Sequence, residues 1–501
     1  MKVLVFHGWL LRGTGSNVYN ASLATALARQ GHEVHMVCQD REVPDLAAGA
    51  SGSVTIHNPD IGGLLPVFVR DSYEGFEVKT FGELTDDELD AYLERNVTAV
   101  RDLVAELGGV DAALANHLVM APVILRRAGL EYAIKVHGSD LSYTIIPDLE
   151  RFGPYAREAA EGAAGILVGS GHIAERLRRA VDEPEINAKV RLGPPGVDTA
   201  LFSPTPAVER PTALEALAHR LRLTEPDPAD QGTSWDRDPR AAAEAVDWYA
   251  EARGDRVIFV GKLIVSKGVD LLLAAWPLVH RAHPDARLLV VGFGAAAEAM
   301  QAVVGGFARG DLGPLREIAE HGRGVEGGED APMPMLAAFL DSGPGDYAEL
   351  AREAADAIRL CGRLEHDEVA VAVDASDALV FPSTFPEAFG MVAAEAAAAE
   401  ALPVSANHSG AAEVSRELAD ELEPGQRDLV SFELAPDAVE AIASRLERWL
   451  AFDPGARAET RASLRGTAER LWSWDGVART VLEASAGRLD GLPRPAGNPL
   501  R

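Results

Sequence analysis

Cysteine is almost missing. Cys38 and Cys361 are the only two in 501 residues. They stand too far apart for a disulfide framework or a finger-type metal spacing, and the low count suits a reducing compartment. Positive charge is short as well: 47 lysines and arginines face 77 aspartates and glutamates, for a formal net charge of −30. A nucleic-acid binder needs a basic face, and docking on an anionic membrane needs basic clusters, so both classes are disfavoured. No apolar run approaches the roughly 18 residues of a membrane span. The opening MKVLVFHGWLLRGTGSN lacks the apolar core and cleavage site of a secretory signal. Repeats at a 20–50 residue period are absent too. The expectation is a soluble cytoplasmic protein with no nucleic-acid partner and no membrane span.

What is present is a globular composition, 47% hydrophobic and 25% charged, in a chain too long for a single core. Short apolar runs alternate with helical patterns. The runs in the first half lie at 1–8, 32–39, 111–116, 132–139, 164–170 and 189–196, and in the second at 255–262, 286–294, 357–363, 377–383 and 402–407. This βα alternation predicts two doubly wound α/β domains, each a parallel sheet covered on both faces. Two stretches break the rhythm. Residues 204–254, rich in Pro, Asp and Ala, combine the crossing between domains with an insertion, and 295–356 forms a second insertion with helical flanks and a loose Gly/Pro/acid loop at 323–334. From about 488 onward the chain has the composition of a frayed tail.

In open α/β sheets ligands bind beyond the carboxyl ends of the strands, and polar residues and glycines gather there. Strand one is followed by Gly13 and Gly15, the run at 132 by His137-Gly138-Ser139-Asp140, and the run at 255 by Gly261-Lys262 through Lys267-Gly268. Gly13 and Gly15 suit either backbone approach to a phosphate or an ordinary βα turn; the third glycine of a dinucleotide fingerprint is absent. Lys262 and Lys267 are two of the few lysines. Together they are suited to neutralise a diphosphate, although surface lysines are more often merely solvated. His137 and His117 are candidate partners of a substrate hydroxyl, while a lone histidine is more often structural. Asp236-Arg237-Asp238 matches a metal-holding D-x-D, but no strand precedes it, and the match reads as chance.

The stretch FPEAFGMVAAEAAAAE at 385–400 carries Glu387 and Glu395 among alanines. A glycosidase pair needs carboxylates roughly 5–9.5 Å apart. Eight residues of helix give about 12 Å along the axis. The spacing instead fits two points on one extended ligand, with Gly390 near a helix start, Glu387 in the loop before it and Glu395 in the second turn. For an isolated pair of acids, solvent-facing positions are the commoner explanation.

Taken together these residues resemble the retaining GT-B glycosyltransferases of family 4. The resemblance rests on Glu387, Phe389, Gly390 and Glu395 for E-x7-E with F-G, and on Gly261, Lys262, Leu263, Lys267 and Gly268 for G-[RK]-L-x4-K-G. HGSDL at 137–141, PPGVDTALFSP at 194–204, GHEV at 31–34, VGFG at 291–294, SGAAEV at 409–414 and WSWDGVA at 472–478 add to it. It covers roughly 1–205 and 255–485, apart from the insertion at 295–356.

The resemblance implies two Rossmann-like domains facing a central cleft: an acceptor domain at 1–205, a nucleotide-sugar domain at 206–470, and a C-terminal helix within 471–501 packing back on the first. It implies a nucleotide-sugar donor (UDP-, GDP- or ADP-sugar) and a hydroxyl acceptor, with no cofactor and no metal. Glu395 is expected on the ribose, Glu387 on the sugar hydroxyls, and the backbone of Ala388, Phe389, Gly390, Met391 and Val392 on sugar or phosphate. Lys262 and Lys267 are expected on the diphosphate, with Gly15 admitting backbone to it. His137 is expected near the transferred sugar, and His117 and Asp140 on the acceptor side. The catalytic set is Glu387, His137, Lys262 and Lys267.

Three departures stand out. Lysine occupies position 262 where arginine is frequent, Glu400 stands at a small-residue or glycine turn, and Ser409 replaces the first glycine of a pair. A nucleotide-sugar 2-epimerase and a non-catalytic nucleotide-sugar binder are the competing functions.

Overall fold

The computed structural model describes residues 1–11, 15–41, 45–68, 75–225 and 237–495. Gly13, Asp236, residues 69–74 and the end of the tail lie outside the described residues. The chain divides into two compact units, 1–196 with 472–501, and 197–471.

The first unit is built on strands β1 (Lys2–Phe6), β2 (Glu33–Val37), β3 (Ser53–His57), β6 (Ala112–Asn116), β7 (Ala133–Val136), β8 (Gly165–Val168) and β9 (Val190–Leu192). They form one parallel sheet in the order β3-β2-β1-β6-β7-β8-β9. A separate pair, β4 (Leu64–Val67) and β5 (Glu77–Thr80), is also parallel. Central strands such as VLVF and AALAN are buried along their length, as strands covered on both faces must be.

The C-terminal helix Trp474–Ser485 belongs to this unit. Its Trp474, Val477, Ala478, Val481 and Ala484 join Val3, Leu27, Leu114 and Leu167 in one core. The tail that follows is pinned rather than frayed up to residue 493. Leu192 donates its backbone N–H to Pro493 (2.7 Å), Arg191 donates to the Leu489 carbonyl (2.8 Å), and Leu489 and Leu492 pack on the core.

The second unit is a parallel sheet ordered β12-β11-β10-β13-β14-β15. Its strands are β10 (Arg256–Val260), β11 (Arg287–Val291), β12 (Ile358–Gly362), β13 (Ala378–Phe381), β14 (Leu402–Ala406) and β15 (Ser431–Phe432). The boundary between units falls at 196–197 rather than at 205, because 197–205 is tied to the second unit. Thr205 N–H bonds Asp374 Oδ1 (2.9 Å), the Phe202 ring sits on His366 (5.2 Å), and Arg465 donates to the carbonyls of Thr199 and Phe202.

Neither irregular stretch is loose where described. Within 204–254, helices Arg210–Leu223 and Pro239–Ala250 pack on each other, and Asp238, from the chance D-x-D, caps the second of them. The 295–356 insertion folds as four helices, Ala297–Ala308, Gly313–His321, Pro334–Ser342 and Tyr347–Ala354, docked on helix Val269–Ala282. Tyr347 anchors it, with the ring against Phe339 (4.9 Å) and the hydroxyl on the Ala274 carbonyl (2.7 Å). The expected loop at 323–334 is corrected. A one-turn 3-10 helix at Gly322–Glu326 and backbone bonds from Ala331 to His321 and from Met333 to Ala319 fix it.

Candidate active-site residues in each unit

In each sheet the strand order reverses once, between β1 and β6 in the first and between β10 and β13 in the second. Loops leaving the two strands on either side of such a point diverge to opposite faces and leave a crevice at their carboxyl ends. The sequence-predicted residues cluster at both points.

In the second unit the loop after β10 carries Lys262, exposed, and Lys267, half-buried at the end of the 3-10 turn Val265–Lys267. The loop after β13 carries Glu387. The two meet: Lys267 Nζ lies 2.5 Å from Glu387 Oε1, which also accepts the Ser383 hydroxyl at 2.6 Å. Gly268 makes this approach possible. It is left-handed (φ 69°), and a Cβ there would stand 2.0 Å from the Pro382 carbonyl oxygen. From the insertion, Glu326 accepts the Val265 N–H (3.1 Å) and so braces the lysine loop.

Glu387 itself is held at both backbone ends. Its N–H donates to Ser409 Oγ (2.8 Å), and its carbonyl accepts from Gly410 (2.9 Å). Phe389 is buried, and Ala388 lies against Gly410, where a Cβ would be 2.5 Å from the Ala388 oxygen. Gly390 is left-handed (φ 114°) and opens helix Met391–Ala398, so Met391 and Val392 present the helix's first amides, donors with no intrahelical partner. Glu395 lies in that helix, nearly buried, with Oε1 3.1 Å from His366 Nε2. Its carboxylate raises the His366 pKa above the ordinary histidine value, the hydrogen bond being the main cause.

Two departures from the family pattern now have a physical reading. Glu400 (φ 63°) and Ser409 (φ 52°) both occupy left-handed backbone, the conformation that favours glycine. Ser409 offsets its strain by holding the Glu387 N–H. Glu400 closes the helix at Ala399 through the Glu400 N–H to the Ala397 carbonyl (3.1 Å) and makes no comparable site contact. Glu400→Gly is therefore expected to raise stability by about 1 kcal/mol without changing activity, which chemical denaturation measures.

In the first unit, His7 follows β1, His117 follows β6, and His137 and Asp140 follow β7. Gly15 is the first residue of helix Gly15–Arg29, and a Cβ there would meet nothing within 4 Å. His137 is half-buried, with Nε2 2.9 Å from Asn116 Oδ1 and its ring on those of Tyr19 (5.0 Å) and His117 (4.8 Å). His117 and Asp140 are buried at 1% and 0% exposure. Asp140 accepts the N–H groups of Leu118 (2.5 Å) and Gly138 (3.1 Å), tying the two strand-exit turns together. His117 packs against Trp9 and Phe68. As they stand, both side chains serve the loops that carry His137 rather than the surface.

Sequence reasoning passed over Lys135, buried on β7 with Nζ on the Gly193 carbonyl (2.5 Å) and over the Tyr19 ring; burial drops its pKa to about 7. It also passed over Ser383, His366 and the asparagines around His137. Ser383 and Asn116 stand at strand ends, whereas Asn17 and Asn20 lie on helix Gly15–Arg29 and His366 opens a helix after β12.

Comparison with known families agrees with this arrangement. The chain matches the family model described as "Glycosyl transferase 4-like domain" over residues 14–196. It matches models described as "Glycosyl transferases group 1" over 254–313 and 347–467. The chain belongs to the group 1 glycosyltransferases. The matched segments contain His137, the two lysines and the two glutamates. Glycogen synthase of Mycobacterium tuberculosis (strain H37Rv) is 26% identical over 266 residues, 51% of this glycosyltransferase chain and 50% of the relative. The chain thus spans about half the length of the curated relatives it matches.

Solved structures extend the likeness of fold over nearly the whole chain. Sucrose-phosphate synthase from Thermosynechococcus elongatus aligns with 96% of both chains at 18% identity and TM-score 0.53. Anabaena HepE, in complex with UDP and glucose, aligns with 97% of this chain and 99% of its own at 15% identity and TM-score 0.55. A Rickettsia africae glycosyltransferase aligns with 98% and 99% at 14% identity and TM-score 0.58. The fold is GT-B. No helix among the described residues is long and apolar enough to cross a membrane.

Proposed function

We propose that this chain is a retaining hexosyltransferase that moves a sugar from a nucleotide-sugar donor to a hydroxyl acceptor. The observation that carries the reading is the meeting of Lys267 and Glu387 at the reversal point of the second sheet, beside the N-terminus of helix Met391–Ala398. A cation, a carboxylate and a row of free amides are what a diphosphate joined to a sugar requires. Glu395, buried one and a half turns further on, supplies the acceptor pair that a ribose diol needs.

In this reading the sugar C1–O bond to phosphate breaks while C1 bonds the acceptor oxygen on the same face. The acceptor's proton passes to the departing phosphate oxygen. Lys262 and Lys267 stabilise the charge growing on the diphosphate, and Glu387 orients the sugar through its hydroxyls. Support for a nucleotide-sugar donor comes from Anabaena HepE, whose structures hold UDP, UDP-glucose, or UDP and glucose, and from Arabidopsis starch synthase IV, bound to ADP and acarbose.

A thermal-shift panel of UDP-, GDP- and ADP-glucose tests the proposal. One of them is expected to raise the Tm, a ligand at 100 Kd adding about 2.7 kcal/mol, and Glu395→Ala is expected to abolish that shift. A flat panel would overturn the donor assignment. An unchanged shift in Glu395→Ala would remove the ribose role.

A further inference from the structure

His137 is one end of a hydrogen-bond chain whose direction is forced. Asn116 Nδ2 contacts the Phe6 carbonyl (3.3 Å) and Asn20 Oδ1 (2.6 Å). A backbone carbonyl only accepts, so the amide nitrogen faces it and Oδ1 is the atom left toward His137. His137 Nε2, 2.9 Å away, must therefore carry the proton. The same logic holds one step on. Asn20 Nδ2 donates to the Ser16 carbonyl (2.8 Å) and to His7 Nδ1 (3.1 Å), so that nitrogen is bare and His7 Nε2–H donates to Asn17 Oδ1 at 2.9 Å. Reversing either amide, Asn116 or Asn20, would turn its oxygen onto a backbone carbonyl.

The surroundings keep His137 neutral. Burial lowers its pKa well below the ordinary value, and His117, Lys135 and His7 push the same way. Burial likewise holds His7 at about 3. The groups around His137 are His7 at the end of β1, Tyr19 on helix Gly15–Arg29, His117 after β6, Lys135 on β7 and Asp140 after it. Of these Asp140 is the one acid, and it lies 3.8 Å from His117 Nδ1. His137 Nδ1 is thus a lone pair on a half-buried ring, with no partner among the described residues.

We propose that Asn17, His7, Asn20 and Asn116 are positioning residues that hold His137 as its Nε2–H tautomer, leaving Nδ1 to accept a hydrogen bond from a substrate hydroxyl. The substrate half of this statement rests on the glycosyltransferase reading; the tautomer half does not. A neutral imidazole with a fixed lone pair orients a hydroxyl without adding charge, and the chain spans three strand ends to secure it.

The test begins with the imidazole nitrogens of the full-length protein, observed by long-range 1H–15N correlation and assigned with His137→Gln. The Nε2–H tautomer is expected throughout the neutral range. An Nδ1–H tautomer, or an imidazolium, overturns the proposal whatever the protein's activity, so its failure is distinct from a flat nucleotide panel. The second arm is Asn116→Asp, which still accepts from Nε2 and adds a negative charge against it, while setting an acceptor oxygen where the amide donated to the Phe6 carbonyl and Asn20 Oδ1. The His137 pKa is expected to rise, and UDP-glucose turnover to fall about tenfold for each pH unit below the new value, where the wild type stays flat. A pH-independent loss in a folded Asn116→Asp protein would reduce the chain to a packing role and overturn the proposal. Should that variant fail to fold, the wild-type spectrum still decides.

Discussion

Lys267→Ala is expected to lower kcat/KM for sugar transfer by about 10²–10³, the loss seen when one preorganised group facing developing charge is removed. The ammonium stands where two loops close on each other, 2.5 Å from Glu387, with Gly268 packed on Pro382 behind it. Its ion pair with Glu387 is partly exposed, the two side chains being 25% and 18% accessible. Such a pair contributes at most about 1 kcal/mol to stability, so the fold survives the substitution and the kinetic loss is readable.

Two roles are separable. If Lys267 only steadies Glu387, then Lys267→Met adds nothing in a Glu387→Gln background. If it also binds the diphosphate, most of the loss persists there, because the leaving group still lacks its cation. Lys267→Arg keeps the charge but offers a planar fork where the loop holds a single ammonium on one carboxylate oxygen, and recovery is expected to be partial. The double-mutant cycle, measured as kcat/KM with the donor that stabilises the protein, decides between the roles.

The lysines and glutamates were legible in the sequence because each pair sits in one continuous motif beside a strand. The sheets were legible for a related reason: strands covered on both faces need unbroken apolar runs such as VIFV and LLVV. What escaped was short, exposed or assembled from afar. β3 alternates partial exposure along SVTIH, and β15 is two residues long. The asparagine–histidine chain gathers residues 7, 17, 20, 116 and 137, brought together by the reversal of strand order between β1 and β6. Nothing in their spacing marks them as a set. Glu400 and Ser409 were visible as departures from a glycine pattern, yet their consequences differ only because Ser409 has a hydroxyl within reach of Glu387.

The largest stability effect is expected from Asp270→Asn. Asp270 opens helix Val269–Ala282, directly after the lysine loop, with 0% exposure and no ion pair to its carboxylate among the described residues. Burial pushes its pKa up to about 7 against the opposing pull of the Asp270 and Leu271 N–H groups, and the nearby charge of Glu326 adds to the rise. The folded state therefore keeps a proton that the unfolded chain releases near pH 4. Between about pH 4 and 7 the folded state binds more protons, and stability falls as pH rises through that window and then levels off. A shift of three units corresponds to about 4 kcal/mol.

Asparagine has no charge to desolvate, so the variant and the wild type are expected to be close in stability near pH 4 and to diverge steadily up to pH 7. Above that the variant's Tm should be higher, on the order of 10 °C. Calorimetry of both proteins from about pH 5 to 8.5 checks this, and a Tm difference that does not change with pH would show that Asp270 is not the buried acid it is taken to be. Glu326→Gln supplies the internal control. It removes the like charge, and it is expected to shorten the window at its upper end while leaving the divergence in place. Glutamine still accepts the Val265 N–H that Glu326 braces, so the loop is kept in that variant, whereas Glu326→Ala removes the acceptor and is expected to loosen the lysine loop and weaken donor binding. The helical insertion that carries Glu326 would then act on the Lys267 loop through that single carboxylate.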